Sequence, residues 1–485
     1  MLAEFKSRHK VKLGVAHTRR NLSRPGYFYI PDAVEEKNKI EDFLKDREIE
    51  FVNLDFLNEE GIICKGVDAD AAAEYFIREG VDAVFAPHLN FGTEDAVARI
   101  AKKVNKPLLL WGPRDGAPAP DGSRARDSQC GLFATSKVLQ EFGVPFTYIP
   151  SSRVEDKIFQ AGFDNFISAA AVVKVMSHLR IGQIGTRPGA FWTVKYNEET
   201  LLNQFGIEVI PISVVDLKRM TDDVLAHKSG EVQKKVEDIK MRIKVITLTE
   251  DELQKVAAMQ LAILDWAEAE KLSAAALLCS PAFRETMGIV PCFAMGELTG
   301  DGFPAACETD IHGAVTSLMV QAAAGGSRET FLADMTIRHP ENDNAELLWH
   351  CGVFPEKLRA KECEPKLADH YGPGIPGVGE YRIKGGDITV ARFDGAAGNY
   401  RLLIAEGQGT AGPHNKGTYL WAEFKDWVEL ETRLINGPYI HHCSGVHGHI
   451  AMALYEACKY IPGLEPDPVF PTKTELDRFL IDLNK

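Results

Sequence analysis

The chain has no Cys-X-X-Cys pair, no block of Lys or Arg, no low-complexity tract, and no apolar run near the roughly 18–20 residues that cross a bilayer. Its opening, MLAEFKSRHKVKLGV, lacks the apolar core of a secretory signal. The missing apolar run argues against a membrane protein. A formal net charge of −14 with no basic cluster argues against a nucleic-acid partner. The nine cysteines are odd in number and carry no export signal, so reduced thiols and a cytoplasmic location are expected.

What is present is globular: 45% hydrophobic and 26% charged residues over 485 positions, too long for one ordinary core, so two or three domains are expected. The stretch 304–336 stands out. Val315, Leu318, Met319, Ala322 and Ala323 recur at helical spacing, which predicts a helix over 311–323 that Gly325-Gly326 stops. The run 330–337 then reads as a buried strand whose only charge is Asp334. Glu308 precedes the helix on an equally apolar segment (Phe303, Ala305, Ala306, Cys307). A carboxylate in such surroundings costs several kcal/mol unless something cationic pairs with it. A strand–helix–strand unit placing both segments in one sheet brings the two acids to one edge, where a divalent cation is the economical partner. Far away in sequence, residues 441–449 read HHCSGVHGH and hold four of the fourteen histidines. Imidazoles and carboxylates together suit Mn²⁺, Co²⁺, Fe²⁺ or Zn²⁺.

Along the N-terminal third, strand patterns at 12–16, 50–53, 81–86 and 107–111 alternate with helix patterns at 33–45 and 68–79. This rhythm predicts a parallel, helix-flanked sheet with ligands beyond its strand ends, at loops including 17–21. A mostly helical stretch, 152–178, leads into a second such unit, with strands at 181–185 and 208–212, a helix at 250–271 and a strand at 274–279. Its turn GQIGTRPG is not the GxGxxG of a dinucleotide site. After Pro340, short β runs at 381–383, 388–392, 400–406 and 418–423 predict an antiparallel β unit, and 449–460 predicts a last helix.

Taken together, Glu308 opening a helix, FLADMT with Asp334, HHCSGVHGH running into a helix, and GTRPGAFWTVKYNEETLLNQFGIEV resemble the L-fucose isomerase and L-arabinose isomerase superfamily, closest to the fucose branch. The resemblance implies two Rossmann-like α/β domains (1–165 and 166–340, the second carrying Glu308 and Asp334) and a β-rich C-terminal domain, 341–485, carrying the histidine cluster. It implies a metal-dependent aldose–ketose isomerase acting on a monosaccharide through an enediol. The metal, Mn²⁺ or another divalent cation, would be held by Glu308, Asp334 and His442, with His350 a further ligand where the arabinose branch has one. The two acids would also shuttle the proton; in the other route, a hydride shift, they would be ligands only. A homo-oligomer, hexamer or trimer, would let residues 17–20, which have no evident partner, cap a neighbour's pocket. His17, Arg19, Arg187, Trp421 and His441 are the expected substrate contacts. His447 and His449, like His441, are expected beside the ligands or at a helix cap.

The sugar is open between a neutral deoxyhexose or pentose and an anionic C6-modified aldose such as sulfoquinovose. His17, Arg19, Arg20, Arg24 and Arg187 suit the anion. A non-catalytic sugar-binding protein and a metal hydrolase are the other readings, and a buried acid pair facing a histidine cluster disfavours the first.

Overall fold

A computed structural model of the chain describes residues 5, 8–21, 30–279, 281–326, 328–372 and 374–483; Arg24 lies outside them. Two compact units have their main bodies at Lys10–Lys174 and Val175–Thr474.

In the N-terminal unit, strands β1 (Lys12–Val15), β2 (Glu50–Val52), β3 (Ala83–Pro87), β4 (Leu108–Trp111) and β5 (Thr147–Tyr148) form a parallel sheet in the order β2-β1-β3-β4-β5. The strands β3 and β4 are buried throughout, which explains their uninterrupted apolar runs. The helix Lys157–Met176 is long and apolar enough to cross a membrane by length and composition, contrary to the sequence reading. Here it is a core helix: Phe159 lies 4.6 Å from the ring of Trp111, and Phe163 packs on Phe85.

The larger unit contains β6 (Arg180–Ile184), β7 (Glu208–Ile212), β8 (Lys244–Val245), β9 (Ala274–Leu277) and β10 (Ala305–Ala306). All but β8 form a second parallel sheet, β10-β9-β6-β7. Then follow β11 (Thr330–Arg338), β12 (Ala345–His350), β13 (Lys366–Asp369), β14 (Pro376–Arg382), β15 (Gly386–Ala396), β16 (Asn399–Thr410), β17 (Thr418–Phe424), β18 (His442–His447) and β19 (Leu464–Phe470). Six of these, β16-β15-β18-β11-β12-β17, pair antiparallel with each neighbour, and a β16–β17 ladder closes them into a barrel. The mixed α/β class with parallel sheets followed by a β-rich region is as expected from the sequence.

One expectation fails. The segments of Glu308 and Asp334 do not share a sheet: β10 ends the parallel sheet, whereas β11 enters the barrel. The helix between them, Ile311–Ala323, is buried at every residue and carries the chain from one to the other.

Inside β12, Glu346 is 4% exposed, and burial, reinforced by Glu431, pushes its carboxyl up to about 7. The folded state therefore holds this proton more tightly than the unfolded chain, and stability is lost as pH rises from about 4.5 to about 7. We expect Glu346→Gln to be more stable than the parent at pH 8 by roughly 1–3 kcal/mol and nearly equal to it at pH 4.5. Urea unfolding at both values checks this, and a variant no more stable at pH 8 would refute it.

Candidate metal centre

Strand pairing explains why Asp334 and His442, far apart in sequence, meet. They face each other directly across β11 and β18, and His442 Nε2 lies 3.4 Å from Asp334 Oδ1. Glu308 arrives from the end of β10, its Oε2 3.1 Å from the same nitrogen. His350, ending β12, brings Nε2 to 3.9 Å from Asp334 Oδ1. Exposed His441 offers a ring nitrogen, so that Asp334, His441 and His442 each bring one ligand atom within 4.8 Å of the others.

The donor set fits a cation. Glu308 Oε2, Asp334 Oδ1 and His442 Nε2 are all buried, and none makes a hydrogen bond despite their closeness; His350 Nε2 beside them is likewise buried and unpaired. Each such atom costs about 1–3 kcal/mol when left unsatisfied. Bonds of about 2.0–2.2 Å to a cation put neighbouring ligand atoms about 3–3.5 Å apart, close to the spacings found. Burial opposes a charge on His442, but Asp310, Glu308 and Asp334 outweigh it and raise the ring to about 10, so the pocket favours positive charge.

Backbone strain accompanies the site. Glu308 and Thr309 have φ of 60° and 57°, a region that costs non-glycine residues about 1–3 kcal/mol each. The Thr309 hydroxyl donates to Thr186 O at 3.2 Å, which ties the turn carrying Arg187 to the Glu308 segment.

Behind the ligands lies a network that sequence reading missed. His442 Nδ1 donates to Asp310 Oδ2 at 2.9 Å, so Nε2 is the nitrogen turned toward Glu308 and Asp334, from which a bound cation would displace the proton. Asp310 also caps the helix Ile311–Ala323, accepting from Gly313 N at 2.9 Å, and a Cβ on Gly313 would sit 2.5 Å from its carboxylate. Arg392, 0% exposed, grips Asp310 through both terminal nitrogens (2.5 and 3.1 Å) and donates from Nε to Asp394 at 2.9 Å. Asp394 in turn accepts from His312 at 2.9 Å. Burial works against the charge on Asp310, but Arg392 and His442 hold it well below the usual carboxylate range. The residual signal was Asp310 itself, an acid two positions after Glu308 at a helix N-cap.

Other expected residues sit elsewhere. Trp421 is 1% exposed, packed with Leu347 and Tyr419, and its indole N–H donates to Pro413 O, so no face is left for a sugar. Trp349, directly opposite Asp334 on β12, is the aromatic beside the site, and the exposed Tyr371 ring lies 5.7 Å from it. His17 and Arg19 belong to the N-terminal unit and are buried there. Burial lowers the pKa of His17, whose Nε2 is 3.6 Å from Glu41. Nor do residues 19 and 20 lack partners, since Arg19 lies 3.5 Å from Glu60 and Arg20 pairs with Glu94 at 3.1 Å and covers the Phe91 ring. Arg187 is half-buried and donates to Pro188 O and Gly189 O. His447 meets Lys384 O, and His449 meets Glu406 and Asp387, both away from the ligand set.

Comparison with known proteins adds chemistry to this geometry. A family model described as the N-terminal domain of fucose/sulfoquinovose isomerase matches residues 17–177. The sulfoquinovose isomerase of Priestia aryabhattai is 25% identical over 327 residues, 67% of this chain and 72% of that protein. Its counterpart in Alkalicoccus urumqiensis is 26% identical over 379 residues, 77% of this chain and 83% of the relative.

Proposed function

We propose, for a chain that belongs to the L-fucose isomerase and L-arabinose isomerase superfamily and is an aldose–ketose isomerase, that the substrate is a sulfonated aldose of the sulfoquinovose type and that the reaction needs a divalent cation. The observation that carries the catalytic part is the convergence of Glu308, Asp334 and His442 with buried, unpaired ligand atoms. The relatives favour the anionic sugar over the neutral fucose or arabinose expected first.

Glu308, Asp334 and His442 would hold the cation, Mn²⁺ being the choice for a mixed carboxylate and imidazole set. When bound, it supplies Lewis-acid polarisation of the sugar's O1 and O2. The chain's own part is proton transfer: one carboxylate of the Glu308–Asp334 pair takes the proton from C2 and returns it to C1, passing through an enediol. Asp310 keeps the His442 ring in the tautomer that leaves Nε2 open. His350 is given a different role from the one first expected. Its Nδ1 accepts from Cys351 N at 2.8 Å, so a neutral ring carries its proton on Nε2 and offers the Asp334 side a donor in place of a lone pair. Trp349 and Tyr371 supply an aromatic face for the sugar ring.

For the sulfonate, two arginines of the larger unit are suited. Arg187 rides on the turn tied to Thr309, and Arg284 Nε is buried without a hydrogen-bond partner, with His370 close by. Arg187→Ala or Arg284→Ala is expected to lower kcat/KM for the sulfonated aldose by about 10–100-fold and to leave the 6-hydroxy sugar nearly unchanged, the value of one charge-assisted hydrogen bond. Equal effects on both sugars would remove charge recognition from the account. Assembly as a hexamer or trimer in the cytoplasm completes the reading, and an active monomer by light scattering at assay concentration would contradict the first part.

A further inference from the structure

The helix Ile311–Ala323 is tied to β15 at two neighbouring points. At the helix start Asp310 and His312 stand two residues apart, and on β15 Arg392 and Asp394 stand two residues apart and therefore on one face of the strand. Arg392 meets Asp310, while Asp394 Oδ1 accepts from His312 Nδ1 at 2.9 Å. With Arg392 Nε donating to Asp394 Oδ2 at 2.9 Å, the four side chains join helix and strand in a closed loop. Asp394 is its hub. It also accepts from Gly395 N at 2.9 Å and from Ile440 N at 3.4 Å, two residues before His442. Burial opposes its charge, but Arg392 and His312 hold its carboxyl below the ordinary carboxylate value.

His312 is 4% exposed and takes no part in the proton transfer. Its ring stands edgewise, at 84° and 85°, to the rings of Phe393 and Tyr400, with centroids 5.5 and 5.6 Å away. Thr316 fixes the same turn, its hydroxyl donating to His312 O at 2.6 Å and accepting from Phe393 N at 3.0 Å. The second ring nitrogen, Nε2, is buried with no hydrogen-bond partner. A wholly apolar ring would fill this space without leaving that atom unsatisfied, so what a histidine adds here is the Nδ1 donor.

We propose that His312 is a positioning residue for the cation site, acting through Asp394 and Arg392 on Asp310 and so on the His442 ring. Without the Nδ1 donor, Asp394 keeps Arg392 as its one side-chain partner among the described residues and is free to turn toward it. The guanidinium then shifts with Asp394, and its two-pronged hold on Asp310 loosens, because the members of such a network support one another. Asp310 is the group that orients His442. His312 touches neither sugar nor cation, so its loss weakens cation binding and spares the chemical step.

This role presupposes the cation site proposed above, and two substitutions separate it from packing. His312→Asn places an amide nitrogen near the Nδ1 position and keeps a donor for Asp394 but gives up the ring. His312→Phe keeps the ring against Phe393 and Tyr400 but gives up the donor. Metal-free parent and variants are titrated with Mn²⁺ by calorimetry, their folding is followed by circular dichroism, and kcat is measured at saturating Mn²⁺. The phenylalanine variant is expected to bind Mn²⁺ about 10-fold more weakly, the lower end for an outer partner of a metal ligand, and the asparagine variant to stay within about threefold of the parent. All three should share one kcat at saturation. A packing role predicts the opposite order, with asparagine the worse, and that order would overturn the proposal. So would a kcat that falls in the phenylalanine variant while its Mn²⁺ affinity is unchanged. If His312→Phe does not fold, His312→Gln replaces it, since its amide reaches the Nε2 position and misses Asp394, and the same weakening is expected. A parent that binds no Mn²⁺ would refute the cation site and this role together, whereas a parent that binds it with an affinity every variant matches would refute this role alone.

Discussion

Glu308→Gln and Asp334→Asn are each expected to lower turnover by about 10³–10⁴-fold, the upper range for loss of a positioned acid–base group, and to bind the cation weakly or not at all. Neither change should unfold the protein. Each removes one of two carboxylates that converge on His442 Nε2, so self-repulsion falls in the cation-free state, and the left-handed backbone at Glu308 is unaltered by an isosteric amide. Metal analysis with circular dichroism separates the outcomes. Normal cation content with normal turnover in both variants would dismiss the ligand assignment.

The second large effect is expected at the network behind His442. Arg392→Met leaves Asp310 and Asp394 buried without their counter-charge, and breaking one side of such a group costs about 3–5 kcal/mol. Asp310→Asn is milder and more informative. It keeps the size of the cap but weakens both the Arg392 grip and the orientation of His442, so the cation concentration for half-activation should rise about 10–100-fold. At saturating cation kcat should recover much of its value, because Asp310 positions a ligand and does not touch the sugar. A fall in kcat with unchanged cation dependence would contradict the positioning role.

How far the sequence carried these conclusions differs by element. The parallel strands β3, β4 and β9 were legible because both faces are buried and the apolar runs are uninterrupted. Strand β18 was not, since His, Gly and Ser have weak strand preference and only its neighbours β11 and β15 hold it extended. Strand β12, AELLWH, was passed over although Pro340, Asn342, Asp343 and Asn344 before it and Gly352 after it mark turns. The helix Val214–His227 was also overlooked, although Ser213 and Asp216 form a capping box that the spacing S-x-x-D announces.

At the site, Glu308, Asp334 and His442 stood out as charged or imidazole groups in apolar settings, and strand register brings them together. The residues that orient them did not stand out. Arg392 lies on a strand 82 positions from Asp310, and no local pattern pairs them. Trp421 misled for the opposite reason. An aromatic on a β run serves equally as core or as sugar platform, and the packing of Leu347 and Tyr419 against it decides for the core.

The central claim is a cation-dependent isomerisation of a sulfonated aldose by Glu308, Asp334 and His442. The most direct measurement gives chelated protein 6-deoxy-6-sulfoglucose or glucose, each with and without Mn²⁺, and follows ketose formation by NMR. The account predicts turnover of the sulfonated sugar only with the cation, with kcat/KM at least about tenfold above that of glucose. Turnover that persists after chelation, or a preference for the neutral sugar, would contradict it.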